Sequence, residues 1–235
     1  ISSADIELLR TSRTRDRFAD LSEDEHQAYI RVHAALGRLG KLAAAELGSA
    51  DYEVRLTSGF HLKSGIRGAI PKDLWFGVYR RENAQEFLGN PQVFAIASGR
   101  GIEIGFYAST HPSDFSNADL KSRLRAAAPA IYAQLPAVGS GEAATLERAL
   151  AGHEWGFRAK SRLEPHRQEF PNLGAWLRHF KEGRGAVEGG GGITRWLTGD
   201  ALDKADLTEV VREAARTFKP LMSTIRPVRG SGQLS

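Results

Sequence analysis

Apolar positions recur every three or four residues at Tyr29, Val32, Leu36, Leu39 and Leu42, the stripe of an amphipathic helix. Ser22 and Glu25 stand just ahead of it at capping-box spacing, where a hydroxyl and a carboxylate each satisfy a backbone N–H of the first turn. Gly48 supplies the stop, because a residue without Cβ enters the left-handed region freely. Beyond it the period changes to that of a strand. Tyr52, Val54 and Leu56 alternate with Glu53, Arg55 and Thr57. Leu74 to Tyr79 and Val93 to Ala97 predict two more strands. The latter continues through Ser98-Gly99-Arg100-Gly101 into Ile102 to Tyr107, a hairpin pattern.

The second half turns helical. Asn117 caps a helix carrying Leu120, Leu124, Ala127, Ile131 and Leu135. Another helix follows over Ala143 to Ala151, a returning strand over Trp155 to Lys160, and a short amphipathic helix over Leu173 to Phe180. The four glycines at 189–192 predict a flexible loop, since Gly loses the most freedom on ordering. Thr208 opens a last helix with Val210, Val211, Ala214, Phe218 and Leu221. Strands and helices are segregated rather than alternating, so the expected class is α+β. Its centre would be a mostly antiparallel, strongly curved sheet flanked by helices. The expected boundaries are a helical segment over 1–50 packed on the domain, an α+β domain over 51–225 and a flexible tail over 226–235. A single continuous domain over 1–225 is the variant reading.

At 41% hydrophobic residues over 235 positions the chain can build a real core. No apolar run is long enough for a membrane helix. Absent cysteines exclude disulfides, thiolate metal sites and cysteine nucleophiles, which fits a reducing cytoplasm. The chain opens on Ile1-Ser2-Ser3, with no signal-peptide pattern and no initiator methionine, as a processed or excised piece would.

Catalytic signatures are sparse. Gly37-Arg38-Leu39-Gly40-Lys41 continues with Leu42 and lacks both the glycine spacing and the hydroxyl of a phosphate loop. No Gly-x-Ser-x-Gly elbow occurs. His26 and His33 share a helix face two turns apart, too far to share a metal. Asp51, Glu53 and Arg55 match a magnesium nuclease only in part, because arginine cannot act as the lysine would. The expected assignment therefore has no catalytic residue, no metal and no cofactor.

The net charge is only +4, but the surplus is local. Between Tyr52 and Arg81 lie Arg55, Lys63, Arg67, Lys72, Arg80 and Arg81 against Glu53 and Asp73. The glycine-punctuated Thr57-to-Gly68 segment can bring backbone N–H groups and cations to a phosphate. In the strand after it, alternation puts Trp75 and Tyr79 on one face and Leu74, Phe76 and Val78 on the other. The aromatic face would be either a binding wall or a second core face.

Thr57-Ser58-Gly59-Phe60-His61, Pro71-Lys72-Asp73-Leu74-Trp75-Phe76, Asn90-Pro91-Gln92-Val93-Phe94, Arg100-Gly101-Ile102-Glu103-Ile104-Gly105-Phe106, Ser113-Asp114-Phe115-Ser116 and Phe218-Lys219-Pro220-Leu221-Met222 together span most of the chain. As a set they resemble the N-terminal regions of bacterial McrB-like AAA+ proteins. The resemblance implies a DNA-recognition module of a modification-dependent restriction system, used in antiviral defence. Such a module reads modified cytosine, with some relatives flipping the base into an aromatic pocket. It also implies double-stranded, modified DNA as partner, an AAA+ motor in the same polypeptide and a separate nuclease subunit. On that reading Trp75, Tyr79, Phe106, Tyr107 and Trp155 would stack on the base. Asp73, Glu103 and Asp114 would accept from its amino group, and Lys63, Arg67, Lys72, Arg80, Arg81 and Arg100 would meet phosphates. Two other readings remain: a standalone metal-dependent nuclease and a protein–protein interaction domain.

Overall fold

The computed structural model of the chain describes residues 1–57, 70–83, 89–112, 116–159 and 168–226. Their helices are α1 (Ser3–Ser12), α2 (Glu23–Leu47), α3 (Ala118–Tyr132), α4 (Gly141–Leu150), α5 (Leu173–Glu182), α6 (Gly185–Glu188), α7 (Gly199–Lys204) and α8 (Leu207–Thr224). Their strands are β1 (Tyr52–Leu56), β2 (Leu74–Arg80), β3 (Gln92–Ser98), β4 (Gly101–Tyr107), β5 (Gly156–Ala159), β6 (Gln168–Phe170) and β7 (Gly191–Leu197). The seven strands form one sheet in the order β1-β2-β3-β4-β7-β5-β6, and every neighbouring pair is antiparallel. The fold is α+β, as the segregated pattern predicts. The expected strong curvature is absent: β1 and β6 stand at opposite edges and do not pair, so the sheet is open.

Local chemistry explains the element ends. Ser22 Oγ accepts from Glu25 N–H, and the Glu25 carboxylate accepts from Ser22 N–H at 2.8 Å, closing the predicted capping box of α2. Gly48 ends that helix at φ 117°, where a Cβ would be strained. Asn117 caps α3, and Asp206 caps α8 by accepting from Thr208 and Glu209 N–H.

The four-glycine run departs from expectation. Gly189 and Gly190 form the turn, at φ 76° and 83°, but Gly191 and Gly192 belong to β7. Packing explains this. A Cβ on Gly191 would lie 2.9 Å from the Tyr132 ring and 3.1 Å from Phe180 and Trp176, and one on Gly192 would meet the Tyr107 ring. Rings close over the first two residues of the strand, which have no side chains, and glycine is what permits the approach.

Residues two apart on a strand share a face, and the pairing register extends that face across the sheet. One row runs Val54, Val78, Val93, Phe106, Ile193, Phe157, and the next Leu56, Phe76, Ala95, Ile104. This face carries α2 and α8. Gly40 lets α2 approach until a Cβ there would be 2.7 Å from Val54 and 3.2 Å from Phe76. Phe218 of α8 stacks on Phe106 at 5.4 Å between centroids. Segment 1–50 thus joins the same core as the later helices, while 227–235 lies outside the described residues. No helix among the described residues is long and apolar enough to cross a membrane.

Candidate functional site

The opposite face of the sheet has a different composition. Its rows read Trp75, Ile96, Glu103, Trp196; then Arg55, Gly77, Phe94, Gly105, Thr194, Gly156; then Tyr107, Gly192, Arg158 and Glu169. Glu103 is wholly buried, at 0% exposure, between half-buried Ile96 and Trp196 on the neighbouring strands. A carboxylate at such a position needs donors, because an ionised group without them costs several kcal/mol or more. Two side chains reach toward it. Arg158 Nη1 lies 3.6 Å from Glu103 Oε1, and the Tyr107 hydroxyl donates to the same oxygen at 3.5 Å.

Glycines make that convergence possible. A Cβ on Gly192 would fall 2.3 Å from Tyr107 Cε1, so the phenol ring lies flat on the bare backbone of β7. A Cβ on Gly156 would sit 3.0 Å from Arg158 Nη2, so the guanidinium lies down in the same way on β5. Phe94 stacks on the other side of Tyr107 at 4.3 Å and 8°, fixing the ring.

Thr194 Oγ1 and Arg158 Nε are buried on this face without a hydrogen-bond partner among the described residues. Arg158 Nε has only a 3.6 Å ion contact to Glu169, which is too long for a hydrogen bond. Thr194 and Gly156 are directly paired, so the hydroxyl and the guanidinium that lies over Gly156 are close neighbours. Nearer β1, Arg55 lies over the Tyr79 ring at 5.9 Å. Burial pushes the Tyr79 phenol above its ordinary pKa, with the Arg55 charge opposing the shift.

The residues named from sequence divide sharply. Trp75, Tyr79, Glu103 and Tyr107 share this face, Trp75 half-buried and the other three buried. Phe106 and Trp155 do not join them. Both pack on Phe218 in the helix-covered core, Trp155 edge-on at 5.1 Å, because strand alternation turns Phe106 away from Glu103 and Tyr107. Asp73 is bound by Arg13 at 2.6 Å, an ion pair that ties β2 to the end of α1.

The basic residues also separate. Arg80 donates to the carbonyls of Met222 and Ser223 at the C-terminal end of α8, where a cation suits the helix dipole. Arg81 donates to the Ser49 and Tyr52 carbonyls. Both guanidiniums hold the fold rather than extend from it. Lys72 and Arg100 are exposed, and pairing of Leu74 with Ala97 sets them at the same end of the sheet as the Trp75–Trp196 row. Lys63, Arg67 and Asp114 lie outside the described residues.

The chain matches no family model and no curated protein.

Among the described residues no three His, Asp or Glu side chains group to hold a metal ion. His26 meets Phe18 edge-on at 5.3 Å, while His33 Nε2 lies 3.2 Å from the Thr57 carbonyl oxygen. Sequence reasoning missed Trp196 and Thr194, and it read Arg158 only as part of a basic stretch, not as the partner of Glu103. The signal was the alternation of Thr194 and Trp196 against Ile193, Arg195 and Leu197, hidden once the glycine run was read as a loop.

Proposed function

We propose that this chain is a cytoplasmic DNA-binding module that reads a modified base against the Trp75–Ile96–Glu103–Trp196 row. The observation that carries the reading is the wholly buried Glu103 set in register beside Trp196. A base needs a planar surface for its π-face and an acceptor for its amino edge. Trp196 and Trp75 provide the first and Glu103 the second. Strands about 4.8 Å apart place the carboxylate within one base width of the Trp196 ring. Arg158 and Tyr107 orient the Glu103 carboxylate, and Thr194 offers a hydroxyl with no hydrogen-bond partner among the described residues. Lys72 and Arg100, at the same end of the sheet, meet the phosphates on either side. The resemblance of the motif set to McrB-like N-terminal regions supports the same reading, in which an AAA+ motor and a separate nuclease would supply the hydrolysis and the cleavage.

The test is a mobility-shift titration with duplexes that do or do not contain 5-methylcytosine, repeated over a salt series. Binding weakens steeply as salt rises, since phosphate contacts release counterions. A lost base stack removes about 1–3 kcal/mol, so Trp196→Ala lowers the affinity for modified DNA between roughly fivefold and a hundredfold and leaves plain DNA nearly unchanged. Equal loss on both duplexes removes the base-reading role. Absence of any salt-dependent binding removes DNA as the partner, and magnesium-dependent cleavage by the pure chain favours a nuclease.

A further inference from the structure

On strands β5 and β6, Ala159 pairs with Gln168, while the adjacent Arg158 pairs with Glu169. Adjacent residues point to opposite faces, so Ala159 and Gln168 turn away from the row that carries Glu103. There they border a cavity of about 650 Å³. Four basic side chains reach its wall from four separate segments: Arg125 from α3, His111 from the stretch after β4, His179 from α5 and Arg184 from the start of α6. Glu188 is the one carboxylate among the described lining residues, and it is already held by Arg184 at 3.0 Å. Arg125 is exposed and pairs with no carboxylate among the described residues. Pro112 and Val187 add an apolar patch to the wall.

We infer that this cavity binds a small phosphorylated molecule of nucleotide size, its phosphate held by Arg125, His111 and His179 and its uncharged part laid against Pro112 and Val187. The volume falls within the range of small-ligand sites. Guanidinium and imidazole N–H groups are the donors that phosphate oxygens take, with the planar fork of Arg125 suited to two oxygens at once. His179 is braced for the task. Its ring lies 4.8 Å from Phe170 and against Gly185, where a Cβ would sit 2.5 Å from its Cδ2. Burial lowers its pKa, opposed by Glu188 and reinforced by Arg184, so at neutral pH the uncharged ring keeps one N–H to donate. This site stands apart from the Glu103 row and does not depend on the DNA reading.

Calorimetric titration of the full chain with adenosine monophosphate, adenosine and inorganic phosphate, at constant ionic strength in chloride, tests it. Adenosine monophosphate binds one per chain, inorganic phosphate more weakly and adenosine most weakly. Arg125→Glu, on an exposed helix surface, keeps the melting temperature and weakens adenosine monophosphate binding about tenfold or more, the scale of one charge-assisted hydrogen bond. His179→Gln weakens it as well, and the imidazole signals of His111 and His179 shift on binding in the unaltered chain. No saturable binding of adenosine monophosphate up to about 10 mM overturns the inference. So does affinity unchanged by Arg125→Glu, or capture of 5′-phosphorylated DNA ends with none of the mononucleotide. Modified-DNA binding measured on Arg125→Glu stays at the unaltered level, so failure of either site is read separately.

Discussion

The two faces of one sheet follow different rules. On the helix-covered face the rows are branched and aromatic hydrocarbon, closed by α2 and α8, and the contacts are ring on ring and methyl on ring. On the other face the same strands carry Glu103, Arg158, Thr194 and Gln92 among aromatics, with glycine at 77, 105, 156 and 192. Burial alone does not separate them, since Phe106 and Glu103 are both at 0% exposure. What differs is the cost of burial. Covering Phe106 is favourable in itself, whereas covering Glu103 is unfavourable until donors arrive. A core face tolerates imprecision of contact, but a buried carboxylate demands particular partners. That demand is what sets this face apart from the hydrocarbon one, and it is the basis of the recognition role proposed for it.

The largest contrast comes from truncating the hydrocarbon face. Phe218→Ala removes the ring that meets both Phe106 and Trp155 and should cost about 3–5 kcal/mol in unfolding free energy measured in urea. DNA selectivity in the remaining folded protein should not move. A change of selectivity at unchanged stability would erase the distinction between the faces.

A smaller effect tests the glycine floor. Gly192→Ala places a Cβ within 2.3 Å of the Tyr107 ring, which must lift and lose its reach to Glu103. Overpacking of this kind costs about 1–3 kcal/mol, and Tyr107→Leu in the same chain should relieve much of it. Additive penalties in the double variant would show that the ring does not lie on that glycine.

The smallest effect carries the clearest sign. Thr194→Val replaces a buried hydroxyl that has no partner among the described residues with a methyl of similar shape, so the chain should hold its stability or gain up to about 1 kcal/mol. Affinity for modified DNA should nevertheless fall. A chain that melts earlier would assign Thr194 to the fold, and unchanged affinity would remove it from the site.

Local signals in the sequence were the readable ones. The capping box at Ser22 and Glu25, the hairpin at residues 98–101 and the Asn117 cap all depend on side chains a few residues apart, and each is present in the structure. Alternation in β2 also put Trp75 and Tyr79 on one face correctly. Facts set by partners far along the chain were not readable. Gly191 and Gly192 form a strand only because Tyr107, Tyr132 and Trp176 close over them from distant segments. Phe106 and Trp155 look like equally good stacking groups until Phe218 is seen against both. Arg80 and Arg81 read as free cations because the carbonyls they hold, Met222 and Ser223 for one and Ser49 and Tyr52 for the other, are not side-chain features at all.

The strand order has a consequence for how the molecule is made. β7 is the last strand among the described residues, yet it sits between β4 and β5. A ribosome therefore releases the β1–β4 meander and then the β5–β6 hairpin as two pieces with nothing to join them, each leaving an edge unpaired. Only when residues 191–197 emerge can they be inserted, pairing β4 on one side and β5 on the other. Glu103 belongs to the first piece and Arg158 to the second, so their contact cannot precede that insertion. Closing such distant pairs is slow compared with forming helices and hairpins. The face that carries Glu103 is thus assembled last, and a nascent chain exposes this carboxylate to water until β7 is in place.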